Sequence, residues 1–153
     1  MTGENGFVPS ELYTQALQFY AHQMRAHDAT DYMRFAATFT EDGRFTHGAP
    51  DLDPVAVGRA AIVEALTKID AAYYTDRPFQ RRHYVNHLVL EQIGDERWQS
   101  EFYTVVLITT RTGTHILLSC ITHDELVRIN GALLTASRSV TLDLGDIPRE
   151  LLS

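Results

Sequence analysis

The 153-residue chain holds one cysteine, Cys120, so it can form neither an internal disulfide nor a cysteine-rich zinc site. A reducing compartment suits such a chain. Basic residues are also scarce, 13 Lys and Arg against 20 Asp and Glu for a formal net charge of -7, which argues against nucleic acid or an anionic membrane as the main partner. The one basic cluster, Arg77, Arg81 and Arg82, is too short for a nucleic-acid patch and reads as a solvated loop before a strand. No apolar run approaches the length of a membrane span, and the N-terminus "MTGENGFVPS" lacks the basic and apolar regions of a signal peptide; the expected location is cytoplasmic. Also missing are GxGxxG, the P-loop and GxSxG, the common signatures of dinucleotide binding, phosphate cradling and a nucleophile elbow. There is no internal repeat and no low-complexity tract, and no cofactor is expected.

What is present is enough for one domain with a proper core: 44% hydrophobic and 22% charged residues, with seven Phe, seven Tyr and one Trp. Residues 1–9 read as a flexible tail. From Pro9 the pattern is helical, with Leu12, Ala16, Phe19, Tyr20 and Met24 at three- and four-residue steps and Ser10 placed to cap the start. A short helix over 31–39 follows, with Thr30 as its cap; "EDG" marks a turn and 44–47 a short strand. "GAPDLDPVAVG" reads as a loop into a helix over 59–74, which "TDRP" ends. Long strands over 83–93, 97–110 and 114–129, separated by "GDE", "RTG" and "NG", predict an antiparallel meander, with a last strand over 133–142. Helices first and long strands after predict an α+β fold: a strongly curved, mostly antiparallel sheet wrapped against N-terminal helices to form a cone-shaped cavity.

Two stretches carry candidate chemistry. In "RRHYVNHLVLE" strict strand alternation sets His83, Val85, His87, Val89 and Glu91 on one face and Tyr84, Asn86, Leu88 and Leu90 on the other. Both faces are largely apolar, so the strand is expected to be covered on each side. His83 and His87 would then lie roughly 13 Å apart at ~3.3 Å per residue, too far to share one zinc ion, and no metal site is expected. In "AHDATDY", Asp28 and Asp31 mark the junction of the first two helices, where Asp commonly caps. A carboxylate bonded to an imidazole would instead fix its tautomer and raise its pKa from ~6.5. Cys120, within "LLSCITH", reads as a small packed residue, and His123, Asp124 and Glu125 of "HDELVRING" as exposed polar groups before an Asn-Gly turn.

The succession "AHQMRAHDATDYMRFAATFTEDGRFTH", "GRAAIVEAL", "RRHYVNHLVLE" and "HDELVRINGALLTASRSVTLD" resembles the SnoaL-like branch of the nuclear transport factor 2-like, or cystatin-like α+β, superfamily. Within it the chain is similar to small cyclases and dehydratases of aromatic polyketide biosynthesis and to scytalone dehydratase. That resemblance implies Asp28 of "DATDY" and His83 of "RRH" as a catalytic pair. His27 and His47 stand where the scytalone-type site has tyrosines, and Thr122 where it has an asparagine; Tyr32 is a further candidate hydrogen-bond donor. The family's second catalytic histidine has no clear counterpart, so scytalone itself is not expected as substrate. Trp98, Phe102, Tyr103 and Met24 are candidate wall residues for a flat polycycle. The resemblance implies a cofactor-independent dehydratase or cyclase acting on a polyketide-like small molecule, and a homodimer joined through the outer faces of its sheets. Two alternatives share the fold: a noncatalytic small subunit of a ring-hydroxylating dioxygenase, and an apolar-ligand-binding protein.

Overall fold

The first helix, α1 (Ser10–Asp28), forms on the apolar stripe seen in the sequence and buries Ala16, Tyr20, Gln23 and Met24. Its N-cap is Pro9, whose carbonyl accepts the Tyr13 N–H, and Ser10 is the first helical residue instead of the cap. Val8, expected in the tail, packs against the core. After Asp28 the chain turns at Ala29 and at Thr30, which takes a left-handed conformation with φ 56°. The next helix, α2 (Tyr32–Ala37), is therefore capped by Asp31, whose carboxylate accepts the Arg34 N–H at 3.1 Å. With that task on Asp31, Asp28 at the end of α1 is free for another.

A computed structural model describes residues 6–49, 52–73 and 79–144. The remaining elements are β1 (Phe39–Thr46), β2 (Val55–Val57), α3 (Arg59–Tyr73), β3 (Gln80–Gly94), β4 (Arg97–Thr110), β5 (Gly113–Ile129) and β6 (Ala132–Leu142). They build an α+β fold around one curved, unclosed six-stranded sheet in the order β2-β1-β6-β5-β4-β3. Every neighbouring pair is antiparallel except β1 with β6.

Three local expectations are corrected. "EDG" is a bulge inside β1, not a turn: the register against β6 shifts between Phe39 and Arg44, and a Cβ on Gly43 would come within 2.9 Å of that of Phe39. Val55–Val57, expected in a loop, pairs with β1 as an edge strand. In β3 the alternation breaks at His87, which sits in a bulge with φ 54°. An inserted residue reverses the facing of everything beyond it. Arg81, His83 and Val85 therefore turn inward before the bulge, Leu88 and Leu90 after it, while His87, Val89 and Glu91 are exposed. His83 and His87 do not share a face, and the far face of β3 is open: Tyr84 and Val89 are both exposed. The "TDRP" break and Arg77 lie outside the described residues.

Apolar side chains gather in three places. Ala16, Tyr20 and Met24 of α1 pack on Leu88, Leu90, Trp98, Phe102 and Leu126. Phe35, Phe39, Phe45, Ile62 and Leu66 join α2 and α3 to β1. Tyr73 meets Val106, Ile108 and Leu117. Among the described residues no helix is long and apolar enough to cross a membrane.

Candidate functional site

Between these clusters lies a cavity of about 120 Å³. Its polar lining comes from six elements or their ends: His27 from α1, His47 just after β1, Arg81 and His83 from β3, Thr104 from β4, Cys120 and Thr122 from β5 and Arg138 from β6. Most of the remaining wall is apolar, including Phe45, Leu66, Val106 and Val140. On the other side of His83 an open groove of about 1000 Å³ runs between α1 and β3, and shares Met24 and His83 with the cavity.

Asp28 and His83 meet at that boundary. His83 Nδ1 lies 2.5 Å from Asp28 Oδ1, and the His83 backbone N–H donates to the same carboxylate at 3.2 Å and 3.0 Å. The helix end and the strand start are thus tied by backbone and side chain together. A carboxylate held against Nδ1 places the ring hydrogen there and leaves Nε2 with its lone pair. Burial pushes the His83 pKa below its ordinary value, and the opposing pull of Asp28 does not overcome it. Asp28 does pull this pKa upward as expected, but burial lowers it more, so the net shift is downward; Asp28 also fixes the tautomer.

His27 stacks on His83 with ring centroids 4.4 Å apart and planes 26° from parallel. Burial holds its pKa well below the ordinary value, helped by His83, Arg81 and Arg138. His47 is also shifted down by burial, against the weaker pull of the Asp53 backbone and carboxylate. The Ala49 N–H donates to His47 Nδ1 at 3.2 Å, so the ring hydrogen is on Nε2.

These lowered values carry a pH signature. A histidine neutral when folded but protonated when unfolded makes the unfolded state bind more protons, so stability falls as pH drops below ~6.5, and that group's share of the loss is complete only below its folded pKa. Each such group steepens the slope by up to ~1.4 kcal/mol per pH unit. Urea titrations between pH 7 and 5 should show this loss, and His27→Phe should flatten it; an equal slope in the variant would show that His27 takes up its proton at the same pH folded and unfolded.

Not every expected site residue comes to the cavity. Tyr32 is outside its lining: its hydroxyl donates to Asp70 and accepts from Arg81 Nη2 at 2.9 Å. Arg81, read as part of a solvated loop, is buried in β3, pairs with Asp70 at 3.1 Å and donates to the His27 carbonyl. Trp98 and Phe102 are core residues, with the Arg128 guanidinium 5.2 Å from the Trp98 ring centroid. Tyr103 is 50% exposed on the outer face, beside His87. His27, His47, Thr122 and Met24 do line the cavity.

One buried network escaped the sequence reading. Asp124, expected at the surface, is 3% exposed. It accepts from Arg138 Nε at 2.8 Å, Arg138 Nη2 at 2.6 Å and the Tyr20 hydroxyl at 3.0 Å. Arg138 Nη2 also donates to Gln23 Oε1 at 2.5 Å. The signal available was alternation, which sets Asp124 on the face of Thr122 and Arg138 on that of Val140, charges on otherwise inward-facing positions. Cys120 is buried as expected, and burial pushes its thiol pKa up. Among the described residues no three His, Cys, Asp or Glu side chains converge as a metal site.

Comparison with known proteins agrees with this architecture. Residues 9–139 match the SnoaL-like domain. A protein from Catenulispora acidiphila solved in complex with S-DNPA is 42% identical, with 89% of this chain and 96% of that one aligned at TM-score 0.80. ActVI-ORFA from Streptomyces coelicolor is 38% identical over 88% of this chain and 97% of its own, at TM-score 0.79. A cystatin-like protein from Nostoc punctiforme, 17% identical at TM-score 0.72 over 90% and 95% of the two chains, shares the fold. Comparison with curated proteins gives no match. With the match spanning both N-terminal helices and nearly all of the sheet, the chain belongs to the SnoaL-like family.

Proposed function

We propose that this protein is a cofactor-independent dehydratase or cyclase, acting by general acid–base catalysis on a polyketide-derived aromatic or polycyclic intermediate of secondary metabolism. The observation that carries the reading is the His83–Asp28 contact at the wall of the cavity, with Nε2 left as a base. Membership of the SnoaL-like family and a 42%-identical relative solved in complex with S-DNPA support the substrate class.

His83 Nε2 removes a proton from a carbon beside a carbonyl, and the C–H electron pair passes into a new C=C bond as the carbonyl π pair moves onto oxygen. Asp28 stabilises the resulting imidazolium. The enolate then re-forms its carbonyl and expels the β-hydroxyl, which leaves as water with the proton returned by His83. Acid–base help of this kind supplies typically ~10²–10⁴-fold. His47, through Nε2–H, and His27 line the cavity and in this reading bond the departing oxygen; Tyr32 does not, since its hydroxyl is committed to Asp70 and Arg81.

The cavity is about the size of one aromatic ring, a dry space of roughly 150 Å³ being enough for benzene. The reacting ring enters it, and the rest of a flat polycycle lies in the groove along α1 and β3. The outer sheet face, where Tyr84, Val89, Tyr103 and Ile116 are exposed, supports a homodimer.

Incubating the protein with a β-hydroxy polycyclic ketone and no added cofactor should give a product lighter by one water in mass spectrometry. A ligand bound and recovered unchanged would make this a binding protein. A stable complex with a large iron-containing partner would make it a noncatalytic subunit.

A further inference from the structure

Thr104 is 2% exposed, lines the cavity, and its Oγ1 has no hydrogen-bond partner. A buried hydroxyl without a partner loses its water for nothing, and a site that keeps one needs a reason. Cys120, opposite Thr104 in register, offers only a thiol, a weak hydrogen-bonding group that a carbonyl oxygen would outcompete. Two strands along, Arg138 is 4% exposed on the same cavity wall. Its Nε and Nη2 are taken by Asp124 and Gln23, whereas Nη1 makes no hydrogen bond among the described residues. Thr104, Cys120, Thr122 and Arg138 follow one another across β4, β5 and β6 as inward, directly or diagonally adjacent positions.

We infer that Thr104 Oγ1 and Arg138 Nη1 form the oxyanion-binding corner of the cavity, receiving the carbonyl oxygen of a neutral, enolisable ketone while His83 takes its proton. This rests on the proposed function and adds the groups that hold the charge the base creates. Donors fixed in a dry site where charge develops favour the transition state over the ground state. Local charges explain why the oxygen arrives neutral. Asp124 cancels Arg138, Asp70 pairs with Arg81, and Asp28 adds a negative charge at His83. A substrate carboxylate would meet no free cation here, whereas an oxygen that becomes anionic only during reaction needs donors, not a counter-charge.

Thr104→Val tests the corner, since it keeps the side-chain shape and removes only the hydroxyl. Its melting temperature should match or exceed the wild-type value, because an unpartnered buried hydroxyl is lost. Its kcat should fall on the order of 10²-fold with KM little changed, and Thr104→Ser should restore it. A probe independent of turnover is p-nitrophenol, whose ionisation is read by absorbance. Bound to the wild type it should ionise at lower pH than in solution, and Thr104→Val should shrink that shift. His83→Ala should retain the shift; its disappearance there would mean that the phenol proton had passed to His83, and would overturn the inference. So would p-nitrophenol bound as the neutral phenol, no binding at millimolar concentration, or identical ionisation in Thr104→Val. A kcat that ignores His83 would overturn the proposed base but leave the p-nitrophenol result to decide the corner separately.

Discussion

His83→Ala is expected to cut turnover at least about a hundredfold with the fold intact, and Asp28→Asn to come close to it for a different reason. In the first variant the base is gone, and free imidazole, small enough to enter the vacated space, should restore part of the rate. In the second the ring remains and the amide oxygen can still accept the His83 backbone N–H. If the amide nitrogen turns toward His83 Nδ1, however, it donates where the carboxylate accepted, so the ring hydrogen moves to Nε2 and the lone pair faces the wrong way. The pH profile separates these effects from simple damage. Burial lowers the His83 pKa and Asp28 partly restores it. The acidic limb of kcat/KM should therefore lie below the ordinary histidine value of ~6.5 in the wild type, and lower still in the residual activity of Asp28→Asn. Unchanged turnover in either variant, measured beside circular dichroism to check the fold, would remove the pair from the mechanism.

How much of this could be read in advance depended on what the sequence punctuates. The apolar stripe of α1 and the turns "GDE", "RTG" and "NG" write their structure openly, and β4 has the expected bounds. The bulge at His87 does not, since nothing in "YVNHLVL" marks a left-handed residue as a glycine would; missing it put His87, Val89 and Glu91 on the wrong face. Asp31 as a cap follows local chemistry, whereas the approach of Asp28 to His83 joins residues 55 positions apart and was anticipated only through the motif resemblance. Trp98 and Tyr103 were chosen as aromatic, but aromatic character says nothing about which side of a sheet a residue faces. The Asp124–Arg138 pair was hidden for the opposite reason: a charge in a strand reads as solvent-facing unless its partner, here on the next strand, is already known.

That pair should dominate stability. Asp124→Asn leaves the Arg138 guanidinium buried with its counter-charge removed, and breaking one side of a buried pair costs about 3–5 kcal/mol. For a chain of this size that is a fall of roughly 6–20 °C in melting temperature. The Tyr20 hydroxyl, which donates to Asp124 and accepts from Ser100, would lose its charged acceptor in the same step. Glu125, the next residue, supplies the control: it pairs with Arg97, a residue 55% exposed in its side chain. Solvent screens such a pair, and Glu125→Gln should cost about 0–1 kcal/mol. The double replacement Asp124→Leu with Arg138→Met should recover much of the loss, because removing both charges also removes the cost of drying them. It should not recover activity, since Arg138 Nη1 goes with it. Equal urea midpoints for Asp124→Asn and Glu125→Gln would mean that water reaches the network, and a solvated guanidinium would be a poor donor for an oxyanion.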